Sequence, residues 1–365
     1  MSRRLRYNVN ITFGSMKPSL PVACVDLFCG AGGLTHGLLK KGIQVKAGVD
    51  LDPACRFAYE TNNGDATFLE RDIESLSAED LADYFPEGTH SLLAGCAPCQ
   101  PFSTYTKGKD TSQDAKWKLL RSFGDLVRRV QPDLVTMENV PQLPKHAIFS
   151  EFLGAFSGYH TWFEVVACED YGVPQRRRRL VFLASKFGPI SLIPPTHKGN
   201  HVSVADTIRH LPDIKAGEIF QSDPLHASAG LTEINLKRIR QSKPGGSWQD
   251  WDDELVAECH RRDSGKSFGS VYGRMRWEKP APTMTTLCFG FGNGRFGHPE
   301  QDRAISLREA ALFQTFPKTY QFMPRGEDVN FSVIGRMIGN AVPVRLGEVI
   351  AMSIAAHLER LKKVN

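Results

Sequence analysis

The sequence predicts an α/β protein: a doubly wound, mainly parallel sheet with a second, smaller and loop-rich domain. Three observations predict it. Short apolar runs alternate with stretches of helical spacing through the first half, the first run ends in Gly30-Ala31-Gly32-Gly33, and regular periodicity fades after about residue 188. With 365 residues and 41% hydrophobic content, the chain can bury a core large enough for both units.

Val22-Ala23-Cys24-Val25-Asp26-Leu27-Phe28 reads as a buried strand, the glycines after it as a tight turn, and residues 34–40 as a crossover helix. Residues 45–49, 91–94 and 134–137 are further strands, separated by helices at 53–61 and 117–130. Residues 160–167 and 180–184 supply two later strands. Pro and Gly signals then crowd together, as in Lys243-Pro244-Gly245-Gly246 and Phe289-Gly290-Phe291-Gly292-Asn293-Gly294. Residues 343–360, with Pro343 in the first turn, form an amphipathic helix returning to the large domain. The expected division is an arm at 1–20, a large domain at 21–188 and 326–365, and the second domain at 189–325.

The net charge of +5 suits a polyanionic partner without requiring one. Eight cysteines, with no apolar stretch following the basic Met1-Ser2-Arg3-Arg4-Leu5-Arg6, predict free thiols in a reducing compartment. No apolar run approaches the roughly 20 residues that span a bilayer, so no membrane partner is expected.

Chemistry concentrates in Gly95-Cys96-Ala97-Pro98-Cys99-Gln100-Pro101-Phe102-Ser103, a loop directly after a strand. Taken alone, Cys96-x-x-Cys99 is compatible with a redox dithiol, half of a zinc site or ordinary buried thiols. No second Cys-x-x-Cys or closely spaced His pair completes a zinc ligand set, so no metal is expected. A thioredoxin-like dithiol should open a helix, and here Pro101 and a polar run continue a loop. The glycine turn is likewise ambiguous, because Thr35 stands where a dinucleotide fingerprint would carry a third glycine.

Five segments in order remove the ambiguity. Asp26-Leu27-Phe28-Cys29-Gly30-Ala31-Gly32-Gly33, the cysteine loop, Met137-Glu138-Asn139-Val140, Gln175-Arg176-Arg177-Arg178-Arg179 and Gly339-Asn340-Ala341-Val342-Pro343 together resemble the DNA (cytosine-5)-methyltransferase family of bacterial restriction-modification systems. The resemblance runs from about Val22 to the C-terminus. It implies a Rossmann-like, S-adenosylmethionine-dependent methyltransferase fold with a target-recognition domain. It also implies methylation at C5 of a cytosine flipped out of a short specific sequence in double-stranded DNA.

That resemblance assigns roles residue by residue. Cys99 is the nucleophile that adds to C6, Glu138 donates to ring N3 and accepts from the exocyclic amine, Arg179 meets the cytosine carbonyl, and Arg177 supports the catalytic loop. Strand alternation places Arg177 and Arg179 on one face. S-adenosyl-L-methionine, leaving as S-adenosyl-L-homocysteine, is expected against Phe28, Gly30 and Gly33, with Asp50 and Leu51 at the ribose, Asp72 and Ile73 at the adenine, Pro98 and Leu119 near the methionine, and Asn340 and Val342 at the tail. Gln100 and Ser103 resemble residues closing over the displaced nucleotide. Arg240, Lys243, Gly245 and Gly246 are the expected base-reading segment, and Thr283 a phosphate contact. A monomer in a bacterial cytoplasm, associated with the nucleoid, is expected, with a possible restriction endonuclease partner acting on the same site without stable contact. Alternatives are a cysteine-dependent oxidoreductase, a non-catalytic DNA-binding module and a tRNA-directed relative. Glu138 and Arg179 argue against the first, an intact catalytic set against the second, and the sizeable second domain against the third.

Overall fold

A computed structural model describes residues 22–98 and 115–364. Seven strands, β1 (Val22–Leu27), β2 (Gln44–Asp50), β3 (Thr67–Glu70), β4 (His90–Gly95), β5 (Leu134–Asn139), β6 (His160–Ala167) and β7 (Arg178–Ser185), form one sheet in the order β3-β2-β1-β4-β5-β7-β6. The first five are parallel, whereas β7 runs antiparallel to both β5 and β6. The strands are linked by α1 (Gly33–Lys40), α2 (Arg56–Asn62), the single turn α3 (Glu79–Ala82), α4 (Ala115–Val130) and α5 (Ala147–Leu153).

The mainly apolar runs Val22–Val25, Leu92–Ala94 and Leu134–Val135 in β1, β4 and β5 follow from burial on both sheet faces. Cys24, Leu92 and Leu134 pack on one side with α1 and the C-terminal helices; Val25, Leu93 and Val135 pack on the other with α4 and α5. On the first side the contact is unusually close, because a Cβ at Gly33 or Gly37 would strike the carbonyl of Val342 or Val344. Only glycine lets α1 seat on that backbone. Sheet order reverses between β1 and β4, so a crevice opens at their C-terminal ends.

After β7 the described chain adds helices and turns, with no further named strand: α6 (Val204–Ile208), α7 (Glu233–Gln241), the single turns α8 (Glu258–Arg261) and α9 (Asp263–Lys266), and then α10 (Leu307–Phe313), α11 (Phe331–Asn340) and α12 (Val344–Val364). Apolar side chains of this half divide between two cores. Ile190, Val204, Leu225, Met284, Leu307 and Phe313 join the sheet's core, while Ile239, Trp248, Trp251, Phe291 and Ala304 form a separate one.

Three features differ from the sequence expectation. The edge strand β3 is only four residues long, Thr67-Phe68-Leu69-Glu70, too short for a clear alternating signal. Strand β7 runs against the other six, which apolar runs cannot indicate. By length and hydropathy the stretch Phe331–Lys363 could cross a bilayer, contrary to the expectation that no run would. The fold breaks it at Ala341–Pro343, and 78% of its most apolar window is buried in the protein's own core.

Candidate active site

The turn after β1 is held in a conformation that side chains rarely adopt: Phe28 has φ +57°, Gly30 +51° and Gly32 +86°. Gly30 N–H donates to Asp50 Oδ2 at 2.8 Å and Gly32 N–H to the Cys29 carbonyl at 2.9 Å, so neither is free to cradle a phosphate. Asp50 Oδ1 accepts from Asp52 N–H at 2.9 Å. Burial raises the Asp50 carboxyl above its ordinary range, opposed by these backbone bonds.

The crevice above this turn is a cavity of about 510 Å³. One end carries Phe28, Gly30, Asp50, Leu51, Asp72 and Ile73, and the other Glu138, Arg177 and Arg179; Pro98, Leu119, Asn340 and Val342 also line it. A Cβ built at Gly30 meets nothing within 4 Å, and the apolar side chain of Leu51 is 65% exposed. These features fit an adenosyl group with an amino-acid tail. Asp50 retains a lone pair on each oxygen for a ribose diol, Leu51 and Ile73 offer apolar surface to a flat ring, and Gly30 leaves an open cradle. Gly33 is the exception to the expected set, because it does not line the cavity and instead abuts the Val342 carbonyl behind its wall.

Glu138 ends β5 at the sheet's C-terminal edge and is 2% exposed. Because β7 enters antiparallel, with Val181 beside Glu138, Arg179 arrives at the same edge. Its Nε lies 2.8 Å from Glu138 Oε1, but off the line of a directed hydrogen bond, and this oxygen has no hydrogen-bond donor among the described residues. Cys96 Sγ donates to Oε2 at 2.9 Å. The carboxylate is thus held from two sides with one acceptor direction unused.

Arg177 is 2% exposed and donates to the carbonyls of Met284 (3.0 Å), Gly339 (3.4 Å) and Ala341 (3.3 Å). Burial, then repulsion from Arg179, pushes its pKa down to about 10, so it stays charged at neutral pH. Its expected role as support of the cysteine loop concerns a segment that, from Cys99 to Asp114, lies outside the described residues. Asn139 Nδ2 donates to the Ala97 carbonyl at 3.1 Å, while Arg177 joins Met284 to the α11–α12 junction. The Nε of Arg177 has no hydrogen-bond partner among the described residues.

Cys99, Gln100 and Ser103 lie outside the described residues. Two other thiols line the cavity, and burial raises both: Cys29 well above its ordinary value and Cys55 to about 12. Sequence reasoning missed Arg336, which reaches the cavity from α11 and pairs with Asp52 at 2.7 Å, and the Asn139 tether. Neither has a local signal beyond membership of a motif or helix.

Of the expected DNA-reading residues, Lys243, Gly245 and Gly246 line a second pocket away from the sheet edge. Arg240 does not line it; its Nε is bound to Asp302 at 3.2 Å. The Thr283 hydroxyl donates to the Arg176 carbonyl at 2.6 Å, so its proton is committed inside the protein, though its lone pairs remain.

The profile of the C-5 cytosine-specific DNA methylase family matches residues 22–356. The chain is 52% identical over 345 residues to the type II methylase M.HgiDII of Herpetosiphon aurantiacus, covering 93% of this chain and 96% of that protein. It is 29% identical over 363 residues to the type II methyltransferase M1.HphI of Haemophilus parahaemolyticus, covering 97% of this chain and 89% of the relative. The solved methyltransferase EhMeth of Entamoeba histolytica superposes with a TM-score of 0.66 at 14% identity, over 93% of this chain and 99% of that one, a likeness of fold.

Proposed function

The chain belongs to the C-5 cytosine-specific DNA methylase family, and on that premise we propose that it methylates C5 of a cytosine flipped out of a specific double-stranded DNA sequence through a covalent Cys99–C6 intermediate. The observation that carries this reading is the Arg179–Glu138 pair, fixed at one end of a cavity whose other end is the Gly30–Asp50 turn. S-adenosyl-L-methionine bound in that cavity would supply an electrophilic methyl group on a sulfonium, and would leave as S-adenosyl-L-homocysteine.

The chain's own residues supply the remainder. Cytosine C5 is a poor nucleophile within an aromatic ring. Addition of the Cys99 thiolate to C6 pushes an electron pair through the ring and makes C5 an enamine carbon. Glu138 shares a proton with N3, which carries the developing charge, and accepts from the exocyclic amine; Arg179 donates to the ring carbonyl. Buried groups without partners are rare, and the free acceptor direction of Glu138 suits a base edge. Once C5 carries its methyl group, transfer of the C5 proton to solvent water leaves the C–H electron pair to form the C5–C6 double bond and expels the Cys99 thiolate, and N3 returns its proton to Glu138. Residues 21–188 and 326–365 perform this chemistry, and 189–325 hold and read the duplex. We take the active species to be a cytoplasmic monomer that shares its site with a restriction endonuclease.

The test is incubation of the purified chain with labelled donor and unmethylated DNA, with bisulfite sequencing to place the product. Label at cytosine C5 within one short sequence is expected. Label on an exocyclic nitrogen, or in tRNA in preference to DNA, would overturn the reading. Glu138→Gln removes the shared proton while keeping the shape, and should lower methyl transfer by about 100-fold or more, with DNA binding nearly unchanged. Near-normal turnover would remove Glu138 from the chemistry.

A further inference from the structure

Away from the sheet edge, three distant parts of the chain meet as extended segments. Gly245 N–H donates to the Arg274 carbonyl at 2.9 Å, Met275 N–H to the Gly297 carbonyl at 2.9 Å, and Gly297 N–H to the Gly273 carbonyl at 2.8 Å. This pairing brings Arg276 and Arg295 to the Lys243–Gln249 turn, where they line one open pocket. Gly245 has φ +82°, which favours glycine, and the Arg276 guanidinium packs over its Cα. Arg295 donates to the Gly245 carbonyl. Arg276 is exposed and has no hydrogen bond or ion pair among the described residues.

Two guanidinium groups held side by side repel each other, and a ligand with acceptor atoms relieves that repulsion. Burial, then Arg276, lowers the pKa of Arg295. The pocket is not purely cationic, because Asp250 is also part of its wall, with its Oδ2 accepting from Ser247 N–H at 2.9 Å. A phosphate would face that carboxylate. The edge of a G·C pair does not conflict with it, because guanine presents the O6 and N7 acceptors to arginine and the paired cytosine presents an N4 donor.

We propose that Arg276 and Arg295, at the Gly245 turn, read a guanine of the recognised DNA sequence. This rests on the DNA-methylating function given above, and moves base reading from Arg240, whose guanidinium is held by Asp302, to two arginines outside the segment first expected. Specificity is then set by a pocket assembled from three parts of the chain.

Arg276→Ala carries the test, since this exposed side chain can be removed without breaking a hydrogen bond or ion pair among the described residues; Arg295→Ala is the companion. A randomised duplex library is bound by the wild-type chain and by each variant without donor, and the bound fraction is sequenced at two salt concentrations. The expected result is loss of about 10-fold or more in preference for guanine at one position, with the other positions kept and the melting temperature of Arg276→Ala unchanged. Uniform weakening with a shallower salt dependence would mean a phosphate contact and overturn the proposal. So would an unchanged preference in both variants. Methylation by the wild-type chain is scored separately, so a chain that methylates DNA while both variants keep its preference overturns the pocket assignment alone.

Discussion

Cys99→Ser is expected to lower methyl transfer by about 10⁴-fold or more while leaving DNA binding largely intact. A serine hydroxyl is far too weakly acidic to supply the nucleophile that the thiolate provides, and the aromatic C6 position accepts nothing weaker. The described thiols of the cavity sharpen the expectation. Cys29 and Cys55 are held protonated by burial, and Cys96 donates its proton to Glu138. Cys96→Ser keeps a donor for that carboxylate and should retain activity. DNA carrying 5-fluorocytosine should trap the wild-type chain, because fluorine cannot leave C5 as the proton does. A shifted band on a denaturing gel reads the adduct, and Cys99→Ser should not show it. Undiminished turnover by Cys99→Ser would end the covalent mechanism.

The second large effect is on stability. Glu309→Ala is expected to destabilise the fold by about 3–5 kcal/mol, because it strands a buried guanidinium. The Arg303 side chain is 0% exposed and binds both Glu309 oxygens at 2.8 Å, with Ser306 N–H adding a third bond at 2.7 Å. Arg303 also reaches the Ile214 carbonyl at 3.1 Å, so the pair fastens the loop at 214 to the start of α10. Replacing both members by apolar residues should cost less than replacing either one, a coupling that a double-mutant cycle in urea would measure.

The same cluster sets an acid limit. Burial would raise the Glu309 carboxyl, but Arg303 outweighs it and holds it below its ordinary 4.5; burial also pushes His298 from 6.5 down to about 4. Each folded-state value lies below the unfolded one, so each group contributes stability above its unfolded pKa and loses it as pH falls. The urea midpoint should therefore decline from about pH 6.5 toward pH 4. A midpoint that stays level over that range would show that His298 is not coupled to folding.

The sequence by itself determined the parallel half of the sheet and marked the residues to which the proposed chemistry is assigned. Runs such as Leu92-Leu93-Ala94 are apolar throughout because both faces of a central strand are covered, and a run of that kind is visible without a fold. The ordered motifs likewise named Glu138, Arg179 and the Gly30–Asp50 turn, because their chemistry lies in residue type and spacing. Strand direction was not legible, since an apolar run reads the same both ways. Yet it is the antiparallel entry of β7 that brings Arg179 to the edge where β5 delivers Glu138. Nor could spacing reveal that Asn139 ties Ala97, or that Arg276 and Arg295 join Gly245, because those contacts are made by side chains converging from different segments. Local pattern encodes burial and covalent order, whereas convergence of distant side chains depends on strand direction and on backbones approaching closely at glycines, which only the folded chain decides.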